Sequence, residues 1–284
     1  MSNANIIQAI KAIAENPIRD VVTYYRSHNR INVVGDSLEL FIKDIFANTL
    51  LSQSEEARLA AYENVYSYFG NANNPPDLMI TCGDAIEVKK LSSESSQIAL
   101  NSSYPSAKLF ADSPMITNAC RTCETWTEKD LIYAIGCVKH EKLRSLWLVY
   151  GDCYAASREV YENVKQRIIT GIASIQDFEF SITNELGRVN KIDPLGITSL
   201  RIRGMWQIDH PRKAFQYLNI PDDPNFSLKV TALLKEEKYL SFPLKDREWL
   251  EASTSHHLKV TNVKIKSPDN PVKLLPAKLI RYQV

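Results

Sequence analysis

Apolar and polar positions change their period several times along this 284-residue chain, and each change predicts an element. Between Gly35 and Phe46, the residues Leu38, Phe41, Ile42 and Ile45 recur at the i, i+3, i+4, i+7 spacing. That spacing predicts an amphipathic helix with one buried stripe, capped by Asp36 or Ser37. Leu78-Met79-Ile80 and Ala85-Ile86-Glu87-Val88 are short apolar runs flanking Cys82-Gly83-Asp84, a hairpin signal with glycine available for a positive φ. Lys129 to Val138 and Leu143 to Tyr150 read as two consecutive, largely apolar strands. Ser157 to Ile175 reads as a helix with Val160, Val164 and Ile168 on one face. Leu200-Arg201-Ile202-Arg203 alternates like a half-buried strand, which puts both arginines on one side. Further helices are expected at Ile6 to Ile13, Glu55 to Phe69 and around Asn118 to Trp126. The order helix, hairpin, crossover, strand, strand, helix suits an α/β (α+β) fold in which a mixed sheet is covered by helices on both faces.

The length allows one enlarged domain or two smaller ones. A core over residues 1–180 and a recognition and dimer-building extension over 181–284 are expected, although no low-complexity tract marks a linker.

The hairpin carries the candidate chemistry. With a three-residue loop pairing Thr81 with Ala85, Met79 faces Glu87 and Asp77 faces Lys89, all on one side of the sheet. Two carboxylates then converge, and Lys89, two residues beyond Glu87, points the same way. Hard oxygen donors of this kind suit Mg2+, which polarises a phosphate ester and acidifies water, while a lysine offsets developing charge. The reaction implied is phosphodiester hydrolysis. The same residues also read as a turn cap and a solvated strand face, since short motifs recur by chance. Glu39, at the edge of the helical stripe, is either a third acidic group of the site or a first-turn glutamate favoured by the helix dipole.

Charge narrows the partner. The net charge is only +1, but between Arg188 and Lys213 six Lys or Arg residues stand against two acids. Arg188, Lys191, Arg201 and Arg203 in this stretch are candidates for gripping phosphates, and an arginine in a major groove can pair with both acceptors of guanine. Asn101, Ser102 and Ser103 are candidate donors on a loop after the hairpin, or an ordinary turn. His28, Asn29 and Arg30, which lead into the glutamate helix, either touch the DNA backbone or form a polar loop. Five cysteines argue against a disulfide framework, and Cys120 and Cys123 lack the second pair that structural zinc needs. No apolar run approaches a membrane span and the amino terminus lacks signal-peptide character, so a soluble intracellular protein with no membrane partner is expected.

These residues also carry a family resemblance. Pro76-Asp77 with Glu87-Val88-Lys89 resembles the PD-(D/E)xK nuclease superfamily. Asn74-Pro-Pro-Asp77, Gly83 to Lys90, Ala99 to Ser103, Glu185-Leu-Gly-Arg188, Ile192 to Leu195 and Arg203-Gly-Met-Trp206 look like the NgoPII-type type II restriction endonucleases, over nearly the whole chain. The resemblance implies a Mg2+-dependent endonuclease that cuts both strands of double-stranded DNA at a GGCC-like palindrome. Asp77 and Glu87 would be metal ligands and Lys89 the catalytic lysine, with Glu39 carried over less tightly. It also implies a homodimer in a prokaryotic cytoplasm and a cognate DNA methyltransferase acting on the same site. A structure-selective or repair nuclease of the same fold and a non-catalytic DNA-binding module are the alternatives.

Overall fold

The computed structural model describes residues 4–27, 36–52, 54–71, 74–175, 179–253 and 257–284. Its strands are β1 (Tyr66–Asn71), β2 (Asn74–Ile80), β3 (Ala85–Leu91), β4 (Ile98–Asn101), β5 (Lys108–Phe110), β6 (Glu128–Lys139), β7 (Lys142–Tyr150), β8 (Glu179–Ser181), β9 (Gly187–Asn190), β10 (Leu200–Ile202), β11 (Trp206–Ile208), β12 (Lys229–Lys235), β13 (Leu258–Lys266) and β14 (Leu274–Gln283).

Among the described residues, one large mixed sheet runs β1-β2-β3-β6-β7-β12-β14-β13, with β5 added beside β6. Pairing is parallel at β3–β6 and β7–β12 and antiparallel at β6–β7, β12–β14 and β13–β14. Its centre is where the sequence is most continuously apolar. Nearly all of β6 and β7 from Leu131 to Tyr150 is buried apart from the turn between them, because both faces are covered. Two smaller sheets, β10-β9-β8 and β11-β4, lie off this path. The result is the expected mixed α/β architecture.

The stripe Leu38, Phe41, Ile42 and Ile45 is fully buried in the helix Asp36–Ala47. This helix lies so close on β6 that a Cβ on Gly136 would come within 2.6 Å of Leu38 Cδ2, so the residue beneath it has no side chain. Asp44 anchors the same helix from inside the core. It accepts hydrogen bonds from the Tyr25 hydroxyl (2.8 Å), Thr49 Oγ1 (2.6 Å) and the Tyr62 hydroxyl (2.5 Å), which offset the cost of burying a carboxylate.

Several expectations are refined. The segment from Glu55 divides into a helix, Glu55–Val65, and strand β1, because Tyr66-Ser-Tyr-Phe69 favours extended backbone. The crossover helix is one short turn, Asn118–Thr122, capped by the Thr117 hydroxyl. The helix Arg158–Ala173 does align Val160, Val164 and Ile168, but they are 48%, 45% and 42% exposed while Ile169 is buried. Ile6–Glu15, whose apolar residues are core, packs against Asp36–Ala47. Among the described residues, no helix is long and apolar enough to cross a membrane.

Candidate active site

The β2–β3 hairpin forms, with a register two residues from the expected one. Leu78 pairs with Ile86 and Met79 with Ala85. The turn closes where Ile80 N–H donates to Asp84 O and Gly83 N–H to Ile80 O, both at 2.9 Å. The loop is therefore Thr81-Cys82-Gly83, and the positive φ (55°) falls on Cys82 and not on Gly83. An even slip preserves the face of every side chain, so the functional consequence survives. Continuing the observed register sets Asp77 opposite Glu87, in place of Lys89.

Contacts from outside the hairpin explain the register. Lys129, buried on β6, donates to the carbonyls of Ile80 (3.1 Å) and Gly83 (2.8 Å) and pairs with Glu124. Glu124 in turn accepts Cys82 N–H at 2.8 Å. On the other side, Gly70 of β1 lets β2 approach closely. A Cβ there would overlap Pro76 O and lie 2.9 Å from Asp77 Cα.

Asp77 Oδ2 accepts the backbone N–H of Val88 at 2.6 Å, and Lys89 Nζ donates to Glu87 Oε1 at 2.5 Å. Glu87 and Lys89 side chains are 14% and 23% exposed, so the ion pair sits in a partly dry site. Burial, followed by the charge of Glu87, pushes Asp77 up to about 7; the Val88 N–H and Lys89 oppose that rise, and Glu39 adds to it. For Lys89, burial disfavours the charge, but Glu87 and Asp77 outweigh it, so the ammonium is held above its ordinary range.

Glu87 Oε2 is buried with no hydrogen-bond partner. An orphaned carboxylate oxygen beside a second, reluctant carboxylate is a donor set that a divalent cation fits, because it would satisfy the one and relieve the repulsion of the other. Among the described residues, no group of three or more His, Cys, Asp or Glu gathers into such a site, so the carboxylate donors come to two. Glu39 ion-pairs with Lys43 at 2.7 Å and does not line the cleft, while its charge adds to the rise of Asp77.

Asp77, Glu87 and Lys89 lie in the wall of a cleft of about 430 Å³. The same cleft is lined by Asn101, Ser102 and Ser103 and by Arg201 and Arg203, so residues far apart in sequence converge there. Arg188 and Lys191 are absent from its lining. Arg188 donates to Ser199 Oγ at 2.5 Å, and Lys191 pairs with Glu179 at 2.8 Å. His28, Asn29 and Arg30 lie outside the described residues.

In and beside the cleft stand further groups to which the sequence assigned no separate role. Tyr104 stacks on Tyr161 (5.5 Å between centroids), with Trp206 edge-on to both. Arg158 and Glu162 reach the cleft from the helix Arg158–Ala173. Glu185 joins Arg201 and Arg203 from below. Position next to Asn101-Ser-Ser was a usable signal for Tyr104. All five cysteines are free, and Cys123 Sγ is spent on Cys120 O at 3.1 Å.

Comparison with known proteins identifies the family. A family model for the NgoPII restriction endonucleases matches residues 4–266. The Type II restriction enzyme NgoPII of Neisseria gonorrhoeae is 45% identical over 284 residues, covering 99% of this chain and 100% of the relative. No solved structure matches. The chain is thus an enzyme of the type II restriction endonuclease class, a site-specific deoxyribonuclease. Within that class it belongs to the NgoPII restriction endonuclease family.

Proposed function

We propose that the chain is a Mg2+-dependent endonuclease that hydrolyses phosphodiester bonds in both strands of double-stranded DNA at a short GC-rich palindrome, GGCC-like in sequence. The observation that carries this reading is the convergence of Asp77, Glu87 and Lys89 with Arg201 and Arg203 in one cleft.

Asp77 and Glu87 would hold the cation, which when bound supplies Lewis acidity at the scissile phosphate and offsets the charge of the transition state. Lys89, kept cationic by Glu87, is placed to orient an attacking water and to stabilise the phosphorane. The water oxygen bonds to phosphorus as its proton passes to solvent, and the bond to the departing sugar oxygen breaks, that oxygen taking up a proton from solvent. Val88 N–H fixes one Asp77 oxygen, so the carboxylate is oriented before DNA arrives. Asn101, Ser102 and Ser103 would bind phosphates and Arg201 and Arg203 base edges.

Cutting both strands of a palindrome calls for two centres about a two-fold axis, which a homodimer supplies. The exposed ridge Val160, Val164 and Ile168 supports one, because it lies on the helix whose Arg158 and Glu162 line the cleft. A cognate methyltransferase would protect the same site in the host.

The test is digestion of a long, fully sequenced duplex with Mg2+, beside an EDTA control, with the fragment ends sequenced. Ends sharing one GC-rich palindrome support the reading. Random nicks would favour a structure-selective nuclease, and intact DNA with tight binding a non-catalytic module.

A further inference from the structure

Glu185 holds both cleft arginines, Arg201 in β10 and Arg203 just beyond its end. Its side chain is 8% exposed, whereas those of Arg201 and Arg203 are each 60% exposed. The carboxylate therefore lies beneath and the guanidiniums face the cleft. Arg203 Nε donates to Glu185 Oε1 (3.1 Å) and Oε2 (3.0 Å), and Arg201 Nη2 to Oε1 (3.2 Å). The β9–β10 ladder creates the meeting. Ile202 pairs with Gly187, so the residues just outside that pair, Arg203 on one strand and Leu186-Glu185 on the other, come together at its open end.

A buried carboxylate is costly unless it is paired, and two arginines over-compensate it, leaving the cluster net positive toward the cleft. Anchoring Arg203 through Nε restricts the plane of the guanidinium and leaves the outer edge formed by the two Nη groups for another acceptor pair. Two Nη donors held in a fixed plane match O6 and N7 of guanine, whose recognition by arginine is bidentate. An arginine already immobilised also loses less side-chain freedom on binding.

We propose that Glu185 is a positioning residue that sets base selectivity, by holding Arg203 in the orientation that reads a guanine. This rests on the reading of the cleft as a DNA-cutting site with arginines facing the bases. Glu185 acts through Arg203 and touches neither the scissile phosphate nor the carboxylates of the hairpin.

The experiment measures kcat and KM on two oligonucleotide duplexes, one carrying GGCC and one with a single guanine of that site replaced by adenine. Wild type, Glu185→Gln, Glu185→Ala and Arg203→Ala are compared, with thermal midpoints recorded for each. Glu185→Gln is expected to lower the ratio of kcat/KM between the two duplexes roughly tenfold or more, with most of the loss on the GGCC duplex and in KM. Arg203→Ala should lower the same ratio at least as much. A ratio unchanged in Glu185→Gln while Arg203→Ala loses it would overturn the role of Glu185, as would an equal fall on both duplexes alongside a lowered thermal midpoint. Undiminished discrimination by Arg203→Ala would overturn the arginine assignment itself, and a wild type that does not discriminate would overturn the underlying reading. If Glu185→Ala fails to fold, the isosteric glutamine variant carries the test.

Discussion

Asp77 Oδ2 accepts the N–H of Val88 across the hairpin, so this carboxylate is locked in place by the strand that carries Glu87 and Lys89. The β2–β3 ladder proper extends only through Leu78 and Ile86, and beyond it the Asp77 side chain takes over the role of a backbone acceptor. The same bond keeps the two carboxylates close, and burial first and the charge of Glu87 second raise Asp77 to about 7 against the pull of that bond.

Asp77→Asn should therefore separate activity from stability. The amide keeps an acceptor for Val88 N–H but removes the buried charge that faces Glu87. Without divalent cation at pH 8, the variant should be more stable than wild type by on the order of 1 kcal/mol, a rise in thermal midpoint of about 2–4 °C. Mg2+ should stabilise the wild type and leave the variant unchanged, and DNA cleavage should be lost. Calorimetry with and without Mg2+ checks this, and an equal Mg2+ shift in both proteins would remove Asp77 from the cation site.

Gly70 controls the same carboxylate from the other strand. Gly70→Ala places a methyl group against Pro76 O and Asp77 Cα, so β2 must move away from β1. The expected cost is about 1–3 kcal/mol of stability, as for other overpacked sites. Cleavage at a temperature well below unfolding should also fall by one or more orders of magnitude, because displacement of about 1 Å at a catalytic centre is expensive. Chemical denaturation and single-turnover kinetics read the two effects, and a stable variant with full activity would show that the close approach of β1 does not position Asp77.

Much of this was legible before the structure, for identifiable reasons. Pro76-Asp77 and Glu87-Val88-Lys89 are local, and strand periodicity alone puts Glu87 and Lys89 on one face. The buried stripe of Asp36–Ala47 and the shared side of Arg201 and Arg203 are equally local patterns. The register was not legible, because it is set by Lys129 and Glu124, which reach the turn from outside the hairpin. Glu185 stood out within the Glu185-Leu-Gly-Arg188 motif, but its contact with Arg203 was hidden for a similar reason, since the two meet only through the pairing of β9 with β10. For Val160, Val164 and Ile168, periodicity shows that they share a face but not that the face is left to solvent.

That exposed face gives a prediction about assembly. Val164→Lys adds a charge at the middle of the ridge and, on a monomer, would project harmlessly into water. Sedimentation should show the wild type as a dimer and the variant shifted to monomer, with its double-strand cuts giving way to nicks. A wild type that sediments as a monomer, or a variant that remains a dimer, would exclude this ridge as the interface.

His210 supplies a pH dependence away from the site. It is 1% exposed, its Nδ1 accepts the Arg212 N–H at 3.1 Å, and Nε2 is buried without a hydrogen-bond partner. Burial pulls its pKa below the ordinary value, with Glu94 opposing and Arg212 assisting. The unfolded chain thus binds this proton more tightly than the folded one, so its stabilising contribution is full above about pH 6.5 and is lost as pH falls toward the depressed folded value. His210→Asn keeps the helix cap without a titrating group and should flatten the loss between pH 7 and pH 5 by on the order of 1 kcal/mol. Urea midpoints at the two pH values measure it, and identical slopes for both proteins would show that His210 does not titrate on unfolding.

The most direct test of the cutting centre is single-turnover cleavage of a bound duplex by wild type and Lys89→Ala with Mg2+ present, after their duplex affinities have been measured without it. Affinities within a few-fold of each other and a cleavage rate reduced by about a thousandfold or more in Lys89→Ala are expected. Cleavage by Lys89→Ala at the wild-type rate would contradict the placement of Lys89 in the cutting centre.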